Sequence, residues 1–178
     1  LFSSRNHALF ITILENVREA IMKKKYAIQK SDIRGKGLFA ISKIAKHEII
    51  FIPKGTVTTT ERYSKSHSKT GQHMLAIGPR TWLKTNKNDP LWHLNHSCEP
   101  NAYVCGFKII VAIKDIFPGE EITIDYSFTE EDPFWELDRQ CQCGSLRCRI
   151  RIRSIAHLPQ ELRTAQKKYI PDWLQKYT

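Results

Sequence analysis

The sequence predicts a mainly β fold with few helices and a short helical C-terminal tail. Three observations carry this. From Lys25 onward, short apolar segments are punctuated by turns. Cys105-Gly106-Phe107-Lys108 reads as a tight hairpin joining two of those segments. After Cys148 the texture changes, and Pro159 suits the first turn of a helix running towards Tyr169 until Pro171 interrupts it. In chain order, strands are expected at residues 26–29, 38–41, 48–52, 74–77, 81–84, 102–105, 108–112 and 121–124. The polar stretch 58–71 is expected to be a surface insertion with room for a helical turn. Trp173, Leu174 and Tyr177 either cap the fold or cover a groove. Ahead of Lys25, Phe10, Ile13, Leu14, Val17 and Ile21 share one helical face. Either residues 1–21 form an amphipathic helix packing on the domain or a partner, or translation starts at Met22 and they precede the native protein.

A length of 178 residues suits one domain with a terminal extension, and 41% hydrophobic against 26% charged residues argues against disorder. No apolar run approaches the ~18 residues of a membrane span, and residues 9–14 are too short for a signal peptide. The formal net charge is +10. It reflects either a solvated lysine-rich surface or attraction for an acidic partner such as nucleic acid. Glu130, Glu131 and Asp132 stand out as a local acidic trio, either beside a binding groove or in a solvated loop.

Five cysteines are present, three of them in Cys141-x-Cys143-x4-Cys148. Cys-x-Cys thiols are poorly placed to bridge each other, because the intervening backbone is too short for relaxed disulfide geometry. A metal site explains the spacing better and favours a reducing, intracellular setting.

Three further segments accompany this one, in order: Gly35-Lys36-Gly37-Leu38-Phe39-Ala40, Leu94-Asn95-His96-Ser97-Cys98-Glu99-Pro100-Asn101, and Gly119-Glu120-Glu121-Ile122-Thr123-Ile124-Asp125-Tyr126. Together the four segments resemble the SET-domain protein lysine methyltransferases, over roughly residues 25–150. The resemblance implies a SET fold, with several small β-sheets around a pseudoknot. It implies a layout of N-terminal extension (1–24), SET domain (25–130), post-SET zinc segment (131–152) and helical tail (153–178).

The function implied is methyl transfer from S-adenosylmethionine to the Nε of a lysine in a protein, histone or other. In the family, the Gly-x-Gly loop lays its backbone against the cofactor, which assigns Lys36, Gly37 and Leu38 to cofactor binding. Lys36 stands where relatives usually carry tryptophan. Asn95 and His96 match the residues that hold the cofactor's amino-acid and adenine portions. Trp92-His93-Leu94 replaces the Arg-Phe-Ile frequent before that asparagine.

Tyr126 is the expected catalytic residue and also a cofactor contact. Its phenol would orient the lysine amine, and most of the acceleration would come from alignment and electrostatic preorganisation. Ile124, in the lysine channel, takes the place of a common tyrosine or phenylalanine. That leaves room for di- or trimethyl product, and mass spectrometry showing only monomethyl-lysine at full conversion would rule it out. Phe134-Trp135 is a turn that either walls the cofactor or lysine channel, with Trp135 assigned to the channel, or packs under the zinc segment. The resemblance makes Cys98 the fourth ligand of a structural zinc with Cys141, Cys143 and Cys148. Cys105 is left to pack in its hairpin.

A rival reading keeps the fold but not turnover, as a binding module docking on chromatin or nucleic acid. No membrane partner is expected. The setting is either nuclear chromatin or a microbial cytoplasm with delivery to a host, and the sequence leaves oligomeric state open.

Overall fold

A computed structural model describes residues 24–61 and 74–178. Residues 1–21, with both of their readings, and residues 62–71 of the expected insertion lie outside them. The described residues form ten short strands in three small sheets, with one α-helix near the C-terminal end. The mainly β expectation holds.

The first sheet has the order β1-β2-β10-β7. β1 (Tyr26–Lys30) turns into β2 (Lys36–Ala40) through a loop organised by Ser31. Its hydroxyl accepts from the backbone N–H of Ile33 (3.0 Å) and Arg34 (3.2 Å), and its own N–H donates to the Gly35 carbonyl. Gly35 closes this turn at φ +51°, which glycine adopts without a Cβ clash. β10 (Glu121–Ile124) lies antiparallel to β2 but parallel to β7 (Asn95–His96).

That parallel crossing is stitched by side chains. Asn101 donates to the Glu121 carbonyl (2.8 Å) and accepts from the Thr123 N–H (2.9 Å), standing in for a neighbouring strand. The Ser97 N–H donates to the Ile124 carbonyl at 3.0 Å. Buried backbone groups are thereby satisfied around a strand of only two residues.

The second sheet orders β3 (Ile49–Phe51), β9 (Ile109–Ala112) and β8 (Ala102–Cys105). Gly106 (φ +59°) lies in the expected hairpin between β8 and β9. The third orders β4 (Thr56–Thr59), β6 (Thr81–Lys84) and β5 (Met74–Gly78). Eight strands fall where the sequence places them. β4 corrects the start of the expected insertion: Thr58 and Thr59 pair with Trp82 and Thr81. All four residues of β4 are exposed, so no apolar alternation marks them.

The three sheets enclose one core that includes Leu38, Ile44, Ile50, Leu83, Val104, Ile110, Ile116 and Ile122. A second cluster joins Phe128 to Ile155, Leu158, Ile170 and Leu174. Trp173 and Tyr177 pack against it, so the tail caps the fold. Full burial of Leu174 stabilises this cap by about 1.5–3 kcal/mol. The helix is shorter than expected. Pro159 is its N-cap, α1 covers Gln160–Ala165, and the chain tightens into a 3-10 turn over Lys167–Tyr169. There the Tyr169 ring packs against Tyr103 with centroids 5.2 Å apart. Beyond Pro171, a further 3-10 turn spans Asp172–Tyr177.

Candidate active site

A cleft of about 920 Å³ opens between the first and third sheets and the segment around Trp135. Its lining includes Lys36, Asn95, Ile124, Tyr126 and Trp135 from the residues singled out in the sequence. Gly37, Leu38 and His96 are not among the lining residues. Leu38 is wholly buried in the core.

Gly37 has a different physical reason for being glycine. A Cβ there would lie 2.0 Å from Glu121 Oε1. Its absence lets the Glu121 carboxylate cross β2, accept from the Asn95 side-chain amide (2.7 Å) and accept the Ser31 hydroxyl proton (2.8 Å). The Asn95 amide also donates to the Arg34 and Lys36 carbonyls, at 3.2 and 3.3 Å. Asn95 is therefore tied to the loop between β1 and β2 on the cleft wall.

Tyr126 opens a 3-10 turn, Tyr126–Thr129, capped by the Asp125 side chain accepting from the Ser127 N–H. Its hydroxyl donates to the Leu94 carbonyl at 2.6 Å. Burial pushes the phenol up to about 12, although Arg139 and Arg34 pull the other way. At neutral pH it is a hydrogen-bonding phenol, not a phenolate.

His96 turns inward. Its Nδ1 accepts from the Tyr126 N–H (3.2 Å), and its ring sits 5.3 Å from the tyrosine ring. Burial brings its pKa down to about 4, against the pull of nearby Asp125 and with Arg149 adding to the fall, so the imidazole is neutral. With Nδ1 accepting, the network assigns the proton to Nε2, which faces Cys98 Sγ at 3.3 Å. The histidine thus bridges the tyrosine backbone and the cysteine cluster.

Cys98, Cys141, Cys143 and Cys148 converge, with their sulfurs all within 4.8 Å of one another. Thiolates around a tetrahedral zinc at ~2.3 Å would sit about 3.8 Å apart. Backbone N–H groups of Arg149 and Ile150 point at Cys98 Sγ (3.3 Å) and Cys148 Sγ (3.4 Å), as suits sulfurs carrying negative charge. Burial pushes Cys98 up to about 11 and raises Cys141 also. For Cys143, burial is outweighed by hydrogen bonds from the Cys98 and Ser145 backbone and from neighbouring thiols, bringing it to about 7. The donor set of this cluster is compatible with zinc. No disulfide links any of the five cysteines.

Several residues escaped sequence reasoning. Arg149 donates to Asp125 Oδ1 at 2.6 Å, tying the cysteine segment to the end of β10. Only an arginine directly after Cys148 hinted at it. Arg34 and Arg139 line the cleft where the motif lacks its usual arginine. The acidic trio is not a solvated loop: Glu130, Glu131 and Asp132 are 8%, 3% and 2% exposed. Glu130 lines the cleft, whereas Glu131 pairs with Lys176 and Asp132 caps the turn at Phe134. Both Phe134 and Trp135 line the cleft.

The family model for the SET domain matches residues 35–127. Histone-lysine N-methyltransferase trithorax of Drosophila virilis is 35% identical over 134 residues, which is 67% of this chain and 3% of that protein. Human Histone-lysine N-methyltransferase 2D is 32% identical over 140 residues, 71% of this chain and 2% of that protein. The chain thus spans a small fraction of these relatives. The fold is similar to a crystal structure of KRYPTONITE in complex with mCHH DNA, H3(1-15) peptide and SAH. That match has a TM-score of 0.56 and 21% identity, covering 73% of this chain and 30% of that one. With three of the four motif segments meeting at one cleft and the family model covering the central half of the sequence, the chain belongs to the SET-domain protein-lysine methyltransferase family.

Proposed function

We propose that this chain transfers a methyl group from S-adenosylmethionine to the Nε of a lysine in a protein substrate. The observation that carries the reading is the Tyr126 phenol, which lines the cleft beside Asn95 and is oriented by its bond to the Leu94 carbonyl. When bound, S-adenosylmethionine supplies an electrophilic methyl group on a cationic sulfur. In this reading Lys36 and Asn95 hold the cofactor directly, and Gly37, Leu38 and His96, which do not line the cleft, carry only the backbone that positions them.

Tyr126 stays protonated, so it orients the lysine amine by hydrogen bonding and by its dipole, without acting as a base. The lysine must arrive neutral, and a nearby positive charge lowers its pKa. Ile124 and Trp135 wall the lysine channel, and the aliphatic Ile124 leaves space for more than one methyl group. Cys98, Cys141, Cys143 and Cys148 hold a structural zinc that fastens the cysteine segment over the site. Free thiols suit a reducing compartment. Curated relatives bear histone-lysine methyltransferase names, which makes histones the first substrates to try.

The test is methyl transfer from labelled S-adenosylmethionine into core histones and a ribosomal-protein mixture, with Tyr126→Phe alongside. Labelling of lysine that falls by about 10²-fold or more in the variant is the expected result. Absence of both labelling and calorimetric cofactor binding would sink the reading in favour of an inactive binding module.

A further inference from the structure

Glu130 directly follows the Tyr126–Thr129 turn and lines the same cleft, yet it is only 8% exposed. Its Oε2 accepts from Trp82 Nε1 at 2.9 Å, and its Oε1 from the Asp132 N–H at 2.9 Å. Both donors are neutral. The other acidic groups lining the cleft have cations beside them: Glu136 meets Arg151 (2.7 Å) and Arg153 (3.6 Å), and Asp138 pairs with Arg139. Among the described residues, no cationic side chain pairs with Glu130. A buried carboxylate with hydrogen bonds but no counter-charge is electrostatically incomplete. Burial accordingly raises its pKa above the usual carboxylate range.

Position decides what would complete it. The Tyr126 phenol is anchored on the β7 side of the cleft, through Leu94, whereas Glu130 is anchored on the β6 side, through Trp82. A turn of four residues rising ~2 Å each separates their backbones by roughly 8 Å. An extended peptide covers that distance in about two residues, at ~3.3 Å each. The carboxylate is thus set apart from the place of the methylated amine, but within reach of a neighbouring side chain.

We infer that Glu130 recognises a second basic residue of the substrate, within about two positions of the target lysine. The preferred substrates are then polypeptide segments carrying paired basic residues. This inference rests on the methyltransferase reading above.

The experiment uses peptides with one acceptor lysine in a Gly/Ser background. Arginine or its neutral isostere citrulline is placed at each of the three positions on either side. Methyl transfer is measured as kcat/KM for the wild type and for Glu130→Gln, which keeps an acceptor for Trp82 but removes the charge. The wild type should prefer arginine over citrulline at one position by about tenfold or more. In Glu130→Gln the ratio should fall to near unity, chiefly through KM. A wild type indifferent to arginine at every position would overturn the inference without needing a variant. So would a preference that survives Glu130→Gln, or an equal loss on both peptides, which would mark a structural role. Absence of peptide labelling despite calorimetric cofactor binding would also overturn the inference, because a flanking arginine would then not make a substrate. Absence of both labelling and cofactor binding would instead overturn the methyltransferase reading beneath it.

Discussion

The β7–β10 crossing and the cysteine segment meet at Cys98 and Asp125, yet different forces hold them. In the crossing, every tie described is the chain's own hydrogen bond: Ser97 to Ile124, Asn101 to Glu121 and Thr123, Tyr126 to His96 and Leu94. Leu94, His96, Ile122 and Ile124 are buried. Between Leu137 and Ile152 no strand forms, and Leu146 is fully exposed. There the chain relies on a few backbone bonds, four converging thiols and the Arg149–Asp125 bridge. The first region can order itself by burial; the second has too little apolar surface to do so and needs a cross-link.

Removing the zinc proposed for the four thiols is the strongest way to break that contrast. Structural zinc supplies on the order of 10–16 kcal/mol in small folded units. Chelation, or Cys141→Ser, should therefore abolish hydrogen-exchange protection across residues 138–151 while β10 amides stay protected. Equal loss in β10 would mean that the crossing also depends on the cluster.

Next comes the bridge between the two regions. Arg149→Met and Asp125→Asn should each cost about 3–5 kcal/mol in urea unfolding, because each leaves a buried charge or polar group without its partner. The double variant should cost less than the sum of the two. Strict additivity would show that the residues act separately.

The smallest effects probe the crossing alone. Gly37→Ala should cost about 1–3 kcal/mol, since its Cβ would displace the Glu121 carboxylate from Asn95. Gly35→Ala meets open space and should cost only about 1–2 kcal/mol, from its φ of +51°. If the two variants were equal in stability and both left the Asn95 amide in place by NMR, the close approach at Gly37 would not matter.

Legibility followed the same divide. Strands with an apolar face, such as β5, β9 and β10, are visible in sequence because burial imposes a pattern on neighbouring residues. β4 is exposed along its whole length, so its second half, Thr58-Thr59, looked like the start of a polar insertion. β7 is two polar residues whose strand character comes from β10 and Asn101, not from its own propensity. Glycine was visible at position 37, but its reason was not. That reason is a glutamate 84 positions later, since 121 − 37 = 84.

By itself, the sequence determined the family, most strands, which four cysteines converge and that Tyr126 belongs to the cleft, because these depend on local spacing and on residue chemistry. Only the tertiary structure decided that His96 faces inward, that Arg149 ties the cysteine segment to β10, and that Glu130 enters the cleft beside Trp82, 48 positions away. Such placements depend on which distant side chain satisfies a buried polar group, and no local pattern encodes that partner.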